Sequence, residues 1–245
     1  MPLPRIETPK YELTIPSTGK TVKYRPFLVK EEKILLIAME SEDETQMMNS
    51  IEEIIQNCIY DADLNVKQLA MFDIEYIFLQ LRSKSKGEEV DMSFECGECK
   101  AKIPVHLNLN DVEIVRTEGH EQNIKLTNNI GVKMKYPSIA LKSQINTDSS
   151  NVENIFQSLV FCLESIYDEE TVYNAKDQTE KEIMDFFESL PEKEFEKIQN
   201  FFTTLPVLRH EVELKCKAKI GKGKNGKVCG WKEHKVLEGL QSFFV

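Results

Sequence analysis

The sequence predicts an α+β fold: a helical part joined to antiparallel β-hairpins, with a zinc-ribbon-like pair of hairpins that carry cysteines. Three observations lead there. Apolar residues recur at helical spacing over residues 46–60 and 152–167, so each stretch can bury one stripe against a neighbour. The period changes to two over 90–96, 103–109 and 210–216, as in strands with one covered face. Cysteines then stand at the ends of alternating runs, as Cys96-Gly97-Glu98-Cys99 and as Cys216 with Cys229.

In chain order, Tyr11–Ile15 and Thr21–Arg25 alternate around Pro16-Ser17-Thr18-Gly19 and predict a hairpin closed by Pro26. Ile34, Leu35, Ile37 and Ala38 predict a helix over 30–39, and Ser41-Glu42-Asp43-Glu44 is polar enough for a loop. Met47, Ile51, Ile54, Ile55, Cys58 and Ile59 share one stripe of the next helix. A helix over 66–82, with Leu69, Phe72, Ile74, Ile77, Phe78 and Leu81, is apolar over much of its circumference and should be central. Strand, knuckle and strand follow at Val90–Cys96 and Ile103–Leu109, then a hairpin pairing 123–126 with 132–136 and a polar linker over 143–151. Ile155, Leu159, Cys162 and Ile166 predict a single helix over 152–167. Helices over 179–189 and 192–203 come after an acidic loop, the second started by Pro191. The last β unit pairs 210–216 with 228–234 across a basic Gly/Lys tip at 221–227, and 236–244 form a short helix or strand. Met92–Cys96 and Val212–Cys216 share the same alternation.

These elements fall into four stretches that make one or two compact domains: 1–87, a hairpin plus helices; 88–142, the CxxC hairpin region; 143–207, helical; and 208–245, a hairpin packing back on the CxxC hairpin. A chain of 245 residues with 41% apolar and 29% charged residues can bury a core and is not globally disordered. No apolar run approaches the roughly 20 residues that cross a bilayer. The N-terminus has no apolar signal region, so the chain is expected not to be secreted. The net charge is −10, unevenly spread: residues 40–63 hold eight acids and no Lys or Arg, whereas 214–235 hold eight Lys and one acid. Ordinarily such runs are solvated faces; the alternative is an acidic and a basic surface that meet different partners or neighbouring copies. Overall acidity argues against general nucleic-acid binding, which needs clustered positive charge.

In a reducing compartment the six cysteines are not a disulfide framework. A two-residue gap lets Cys96 and Cys99 turn two thiolates toward one metal, and Cys216 and Cys229 are the natural second pair for a tetrahedral, four-thiolate structural zinc. The competing reading is four reduced, partly buried thiols. A redox CxxC fits less well, because such motifs open helices and this one lies between strands. His234 could stand in for one cysteine. Cys58 and Cys162 sit on apolar helical stripes and read as core packing. Ser17-Thr18-Gly19-Lys20 lacks the upstream glycine of a phosphate loop and reads as a turn. No nucleophile elbow, dinucleotide fingerprint or paired-carboxylate motif is present, so no catalytic residues are assigned and no enzyme is expected.

Several of these stretches together resemble the T-even-type phage baseplate protein family. They are Leu13–Phe27 with the helix opening Lys30–Leu36, the segment Phe72–Ser85, the CxxC hairpin, and the ending Leu237–Phe244. The resemblance covers most of the chain. It implies a structural or assembly component of a contractile-tail baseplate hub, a late protein acting by protein–protein binding and without catalysis. The implied partners are other hub proteins and the tape-measure protein, in an oligomeric particle. The implied place is the virion tail baseplate, or the host cytoplasm during assembly. Two branches stay open: a permanent subunit, or an assembly chaperone absent from the mature particle. A reading from another class is a zinc-stabilised nucleic-acid-binding module, resting on the cysteine pairs and the lysine-rich loop.

Overall fold

The computed structural model describes residues 6–41, 43–142, 151–220 and 227–243. It is a mixture of helices and small antiparallel sheets, divided into two compact units. The first is built from the residues up to Leu64, from Phe72–Val115, and from Val207 onward; the second from Asn65–Met71 and Arg116–Pro206. Among the described residues no helix is long and apolar enough to cross a membrane.

The first unit opens with the expected hairpin, β1 (Tyr11–Thr14) and β2 (Thr21–Tyr24), in a register that pairs Leu13 with Val22 on the buried face. Its turn uses Gly19 at φ +69, a conformation that costs glycine little. Helices α1 (Val29–Ser41) and α2 (Glu44–Cys58) follow. The expected loop between them shrinks: Asp43 caps α2 directly, accepting the N–H of Thr45 at 2.8 Å. Residue 42 lies outside the described residues. Glu31 of α1 is fully buried, and Arg25, just after β2, donates to it at 2.9 Å while also bonding the carbonyls of Pro26 and Asn57.

Helix α3 (Met71–Lys86) is central, as its apolar circumference predicts: Ile74, Ile77, Phe78, Leu79 and Leu81 are all buried. Its start differs from the expected position. Val66–Gln68 form a separate 3₁₀ turn, and Leu69 and Ala70 are extended, Ala70 bridging to Ser138. A long-range strand contact there outweighs the local helical pattern. Buried Asp73 accepts both the N–H (2.9 Å) and the hydroxyl of Ser17, pinning the hairpin turn to α3.

The remaining part of this unit is β. Strand β3 (Glu89–Glu95) pairs antiparallel with β4 (Lys102–Asn108), placing Met92 opposite Val105. A short β5 (Glu113–Val115), absent from the sequence reading, joins a three-stranded sheet with β10 (Val207–Lys215) and β13 (Lys232–Glu238), in the order β13-β10-β5. The return strand expected at 228–234 is split: β11 (Lys219–Ile220) pairs with β12 (Lys227–Val228), and β13 starts only after Trp231. Residues 221–226 of the basic tip lie outside the described residues. The C-terminal stretch is both strand and helix, since β13 runs to Glu238 and Leu240–Phe243 form a 3₁₀ turn. Val90, Met92, Ile103, Leu107, Leu208, Val212, Leu214, Leu237 and Phe243 fuse these pieces into one core.

The second unit is a four-stranded antiparallel sheet, its strands side by side in chain order, packed with helices. It holds β6 (Asn123–Lys125), β7 (Gly131–Met134), α4 (Ile139–Lys142), α5 (Asn151–Cys162), β8 (Leu163–Tyr167), β9 (Val172–Asn174), α6 (Glu180–Glu188) and α7 (Glu192–Thr203). The single helix predicted over 152–167 is therefore corrected. It ends at Cys162, and Ile166 pairs with Val132 and Tyr173 in the middle of the sheet. The 4-3-4 spacing misled because Leu163 and Ser165 are also buried, on a period of two. Helices α6 and α7 match their expected spans. Thr179 and Glu182 form a capping box, and Pro191 is the N-cap of α7. Most of the expected linker, 143–150, lies outside the described residues.

Candidate metal centre

Cys96 continues the buried face of β3 (Val90, Met92), and Cys216 continues that of β10 (Val212, Leu214), so the same alternation delivers one thiol from each hairpin to the core. Each chain then turns back on itself. Cys96 receives the N–H of Lys100 on its carbonyl at 3.1 Å and donates to Ala101 at 2.9 Å. Gly230 donates to the Cys216 carbonyl at 3.1 Å, and Cys229 to the Ala218 carbonyl at 2.8 Å. These two knuckles bring the sulfurs of Cys96, Cys99, Cys216 and Cys229 within 4.8 Å of one another. Cys96 and Cys229 are 3.7 Å apart and Cys99 and Cys216 3.5 Å apart, both contacts running between the hairpins. No disulfide joins any of them.

Four thiolates around a tetrahedral zinc, with bonds near 2.3 Å, would have their sulfurs about 3.8 Å apart. The observed spacing fits one ion. Electrostatics agrees. Burial opposes ionisation of Cys96, yet the N–H groups of Cys99 and Glu98 and the thiols of Cys99 and Cys216 outweigh it and hold Cys96 at about 7. The Trp231 N–H favours the Cys229 thiolate, but burial and the sulfurs of Cys99, Cys96 and Cys216 push it up to about 12. Sulfurs this close resist sharing negative charge without a cation between them; a divalent ion reverses that preference.

Two features were missed in the sequence. Gly97 is needed for space rather than for its backbone angle: a Cβ there would lie 2.9 Å from the indole of Trp231. The left-handed residue of the knuckle is instead Lys100, at φ 61. The signal that was available was Trp231 itself, the only tryptophan, two residues after Cys229. Gly97→Ala should therefore push the indole aside and cost about 1–3 kcal/mol, an overpacking penalty. The lone tryptophan's emission maximum reports that movement, and an unchanged spectrum would contradict the contact.

His234 is not in the four-sulfur group; it stands on β13 opposite Glu213. Cys58 and Cys162 are buried in separate units, and burial raises their thiols to about 11 and about 12, as suits core packing. Ser17–Lys20 is the β1–β2 turn.

Residues 8–245 match the family described as T4 bacteriophage base plate protein. The chain belongs to that family. It is 25% identical over 236 residues to the baseplate hub assembly protein gp26 of Enterobacteria phage T4, covering 96% of this chain and 98% of that one. No solved structure matches the chain. The match spans both structural units and all four clustered cysteines, so the whole chain, and not one hairpin, is what resembles a base plate protein.

Proposed function

We propose that this chain acts in the assembly of a contractile-tail baseplate hub by binding other hub proteins, without catalysing a reaction, and that Cys96, Cys99, Cys216 and Cys229 hold one structural zinc. The observation that carries the first part is the nearly end-to-end match to a hub assembly protein. The hub proteins it binds, with the tape-measure protein among the candidates, belong to the same proposal. So do its oligomerisation in the particle and its location in the tail baseplate or in the host cytoplasm during assembly. The zinc part rests on sulfur spacing and on a ligand set of four thiolates, which leaves no coordination position for water or substrate. Such an ion cross-links two hairpins, each too small to be stable alone. In that sense the cysteine hairpins behave as a zinc ribbon.

Deleting the gene from the phage should give particles without a functional hub, restored by the gene in trans. Normal, infectious baseplates from the deletion would sink the reading. Mass spectrometry of purified tails decides between the branches: a stoichiometric signal makes the chain a permanent subunit, and its absence from complete tails makes it a departing assembly factor.

A further inference from the structure

Helix α1 buries Glu31, Leu35 and Ala38. At 100° per residue, the opposite face carries Val29, Lys33, Leu36, Ile37 and Glu40. All five are exposed, Val29 by 81%, Leu36 by 51% and Ile37 by 55%. A helix with large aliphatic residues on both faces has a second surface suited to burial. The charges say against what. Neither Lys33 nor Glu40 has an ion-pair partner among the described residues. They are two turns apart on one helix, roughly 10 Å, too far to pair with each other.

We propose that this face of α1 joins two copies of the chain as a symmetric dimer, the two helices antiparallel across a twofold axis between Leu36 and Ile37. In that arrangement Leu36 of each copy meets Ile37 of the other. Lys33 of each meets Glu40 of the other, so the same ion pair forms twice, once at each end of the seam. The seam of Lys33, Leu36/Ile37 and Glu40 advances by about 3.5 residues per turn, the period at which helices pack along their length. Parallel packing would set Lys33 against Lys33, and a partner of one charge sign would satisfy only one end of the stripe. A second copy satisfies both ends. The patch is small, so association is weak, on the order of micromolar.

Sedimentation velocity on the full chain, from about 1 to 100 μM in low salt, tests it. The wild type should reach twice 28.3 kDa. Lys33→Glu and Glu40→Lys should each raise the dissociation constant roughly tenfold or more, since each replaces two attractions by two repulsions. Mixed in equal amounts, the two variants should form a heterodimer, because one then offers only acids and the other only lysines. The double variant K33E/E40K should dimerise like the wild type. Both positions are exposed, and circular dichroism checks that the fold is kept. A wild type that stays monomeric, a dimer indifferent to both reversals, or a mixture that fails to associate would overturn the proposal. It goes beyond the baseplate reading: a monomer would leave hub assembly standing, and normal baseplates from a deletion would leave the dimer standing.

Discussion

Cys96→Ser is expected to abolish zinc binding and to loosen a hairpin more than 100 residues away in sequence. The wild type, purified without chelator, should carry one zinc per chain, and the variant about a tenth of that or less. Structural zinc is worth roughly 10–16 kcal/mol in isolated finger peptides. The hairpins here also share a hydrophobic core, so a smaller loss is expected, on the order of 4 kcal/mol in the first unit. The decisive readout is hydrogen exchange at the second knuckle. The N–H groups of Cys216, bonded to the Trp231 carbonyl at 2.8 Å, and of Cys229, bonded to Ala218, should lose protection although the substitution lies in the first knuckle. Metal-free protein in which Cys96→Ser leaves those amides protected would refute the shared ion.

Arg25→Met should cost about 3–5 kcal/mol, because it leaves the fully buried Glu31 carboxylate without its closest cation. The second substitution Glu31→Gln should restore part of that loss, a coupling that a double-mutant cycle measures. The pH dependence has a definite sign. Burial works to raise the Glu31 pKa, but Arg25, the Leu28 N–H and Lys30 together hold it below the ordinary value. A depressed carboxyl contributes stability that is present above its unfolded pKa, about 4.3, and lost as pH falls through the folded value. In Arg25→Met the main counterweight to burial is gone and the folded pKa rises. The variant's deficit should then be largest near neutrality and should narrow as the pH is lowered toward 4 and Glu31 takes up a proton. Denaturant titrations following the first unit at several pH values give this directly. A gap that is constant with pH would show that Arg25 stabilises through its carbonyl bonds to Pro26 and Asn57 and not through the carboxylate.

Much of the local architecture was legible because each element's covered face repeats with a period set by the backbone. Leu13 and Val22 alternate in the first hairpin, Ile51, Ile54, Ile55 and Cys58 stripe α2, and Val90 and Met92 line the covered face of β3 that Cys96 continues. Legibility failed where two periods coincide or where a strand is too short to show one. Residues 163–167 satisfy a helical spacing through Ile166 and a strand spacing through Leu163 and Ser165. The sheet prevails because β7 and β9 offer partners on both sides. Strands β5 and β9, three residues each, carry no pattern and exist only because β10 and β8 lie beside them.

The same division holds for the candidate site. Sequence alone determined which thiols face inward: Cys96 and Cys216 each extend a buried alternation, and the two-residue gap sets Cys99 beside Cys96. It also determined the family, because hairpin, central helix, CxxC and C-terminal ending occur together in one order. Sequence nominated Cys216 and Cys229 as the second pair, but only the tertiary structure shows the four sulfurs within 4.8 Å of one another, across 116 intervening residues that fold largely into another unit. Tertiary structure decided too that Trp231 covers Gly97, and that Arg25 reaches a carboxylate buried on the next helix. The physical reason is common to all three. Periodicity records only whether a residue faces the core, while the identity of its partner depends on how separately formed elements stack, and no local spacing encodes that.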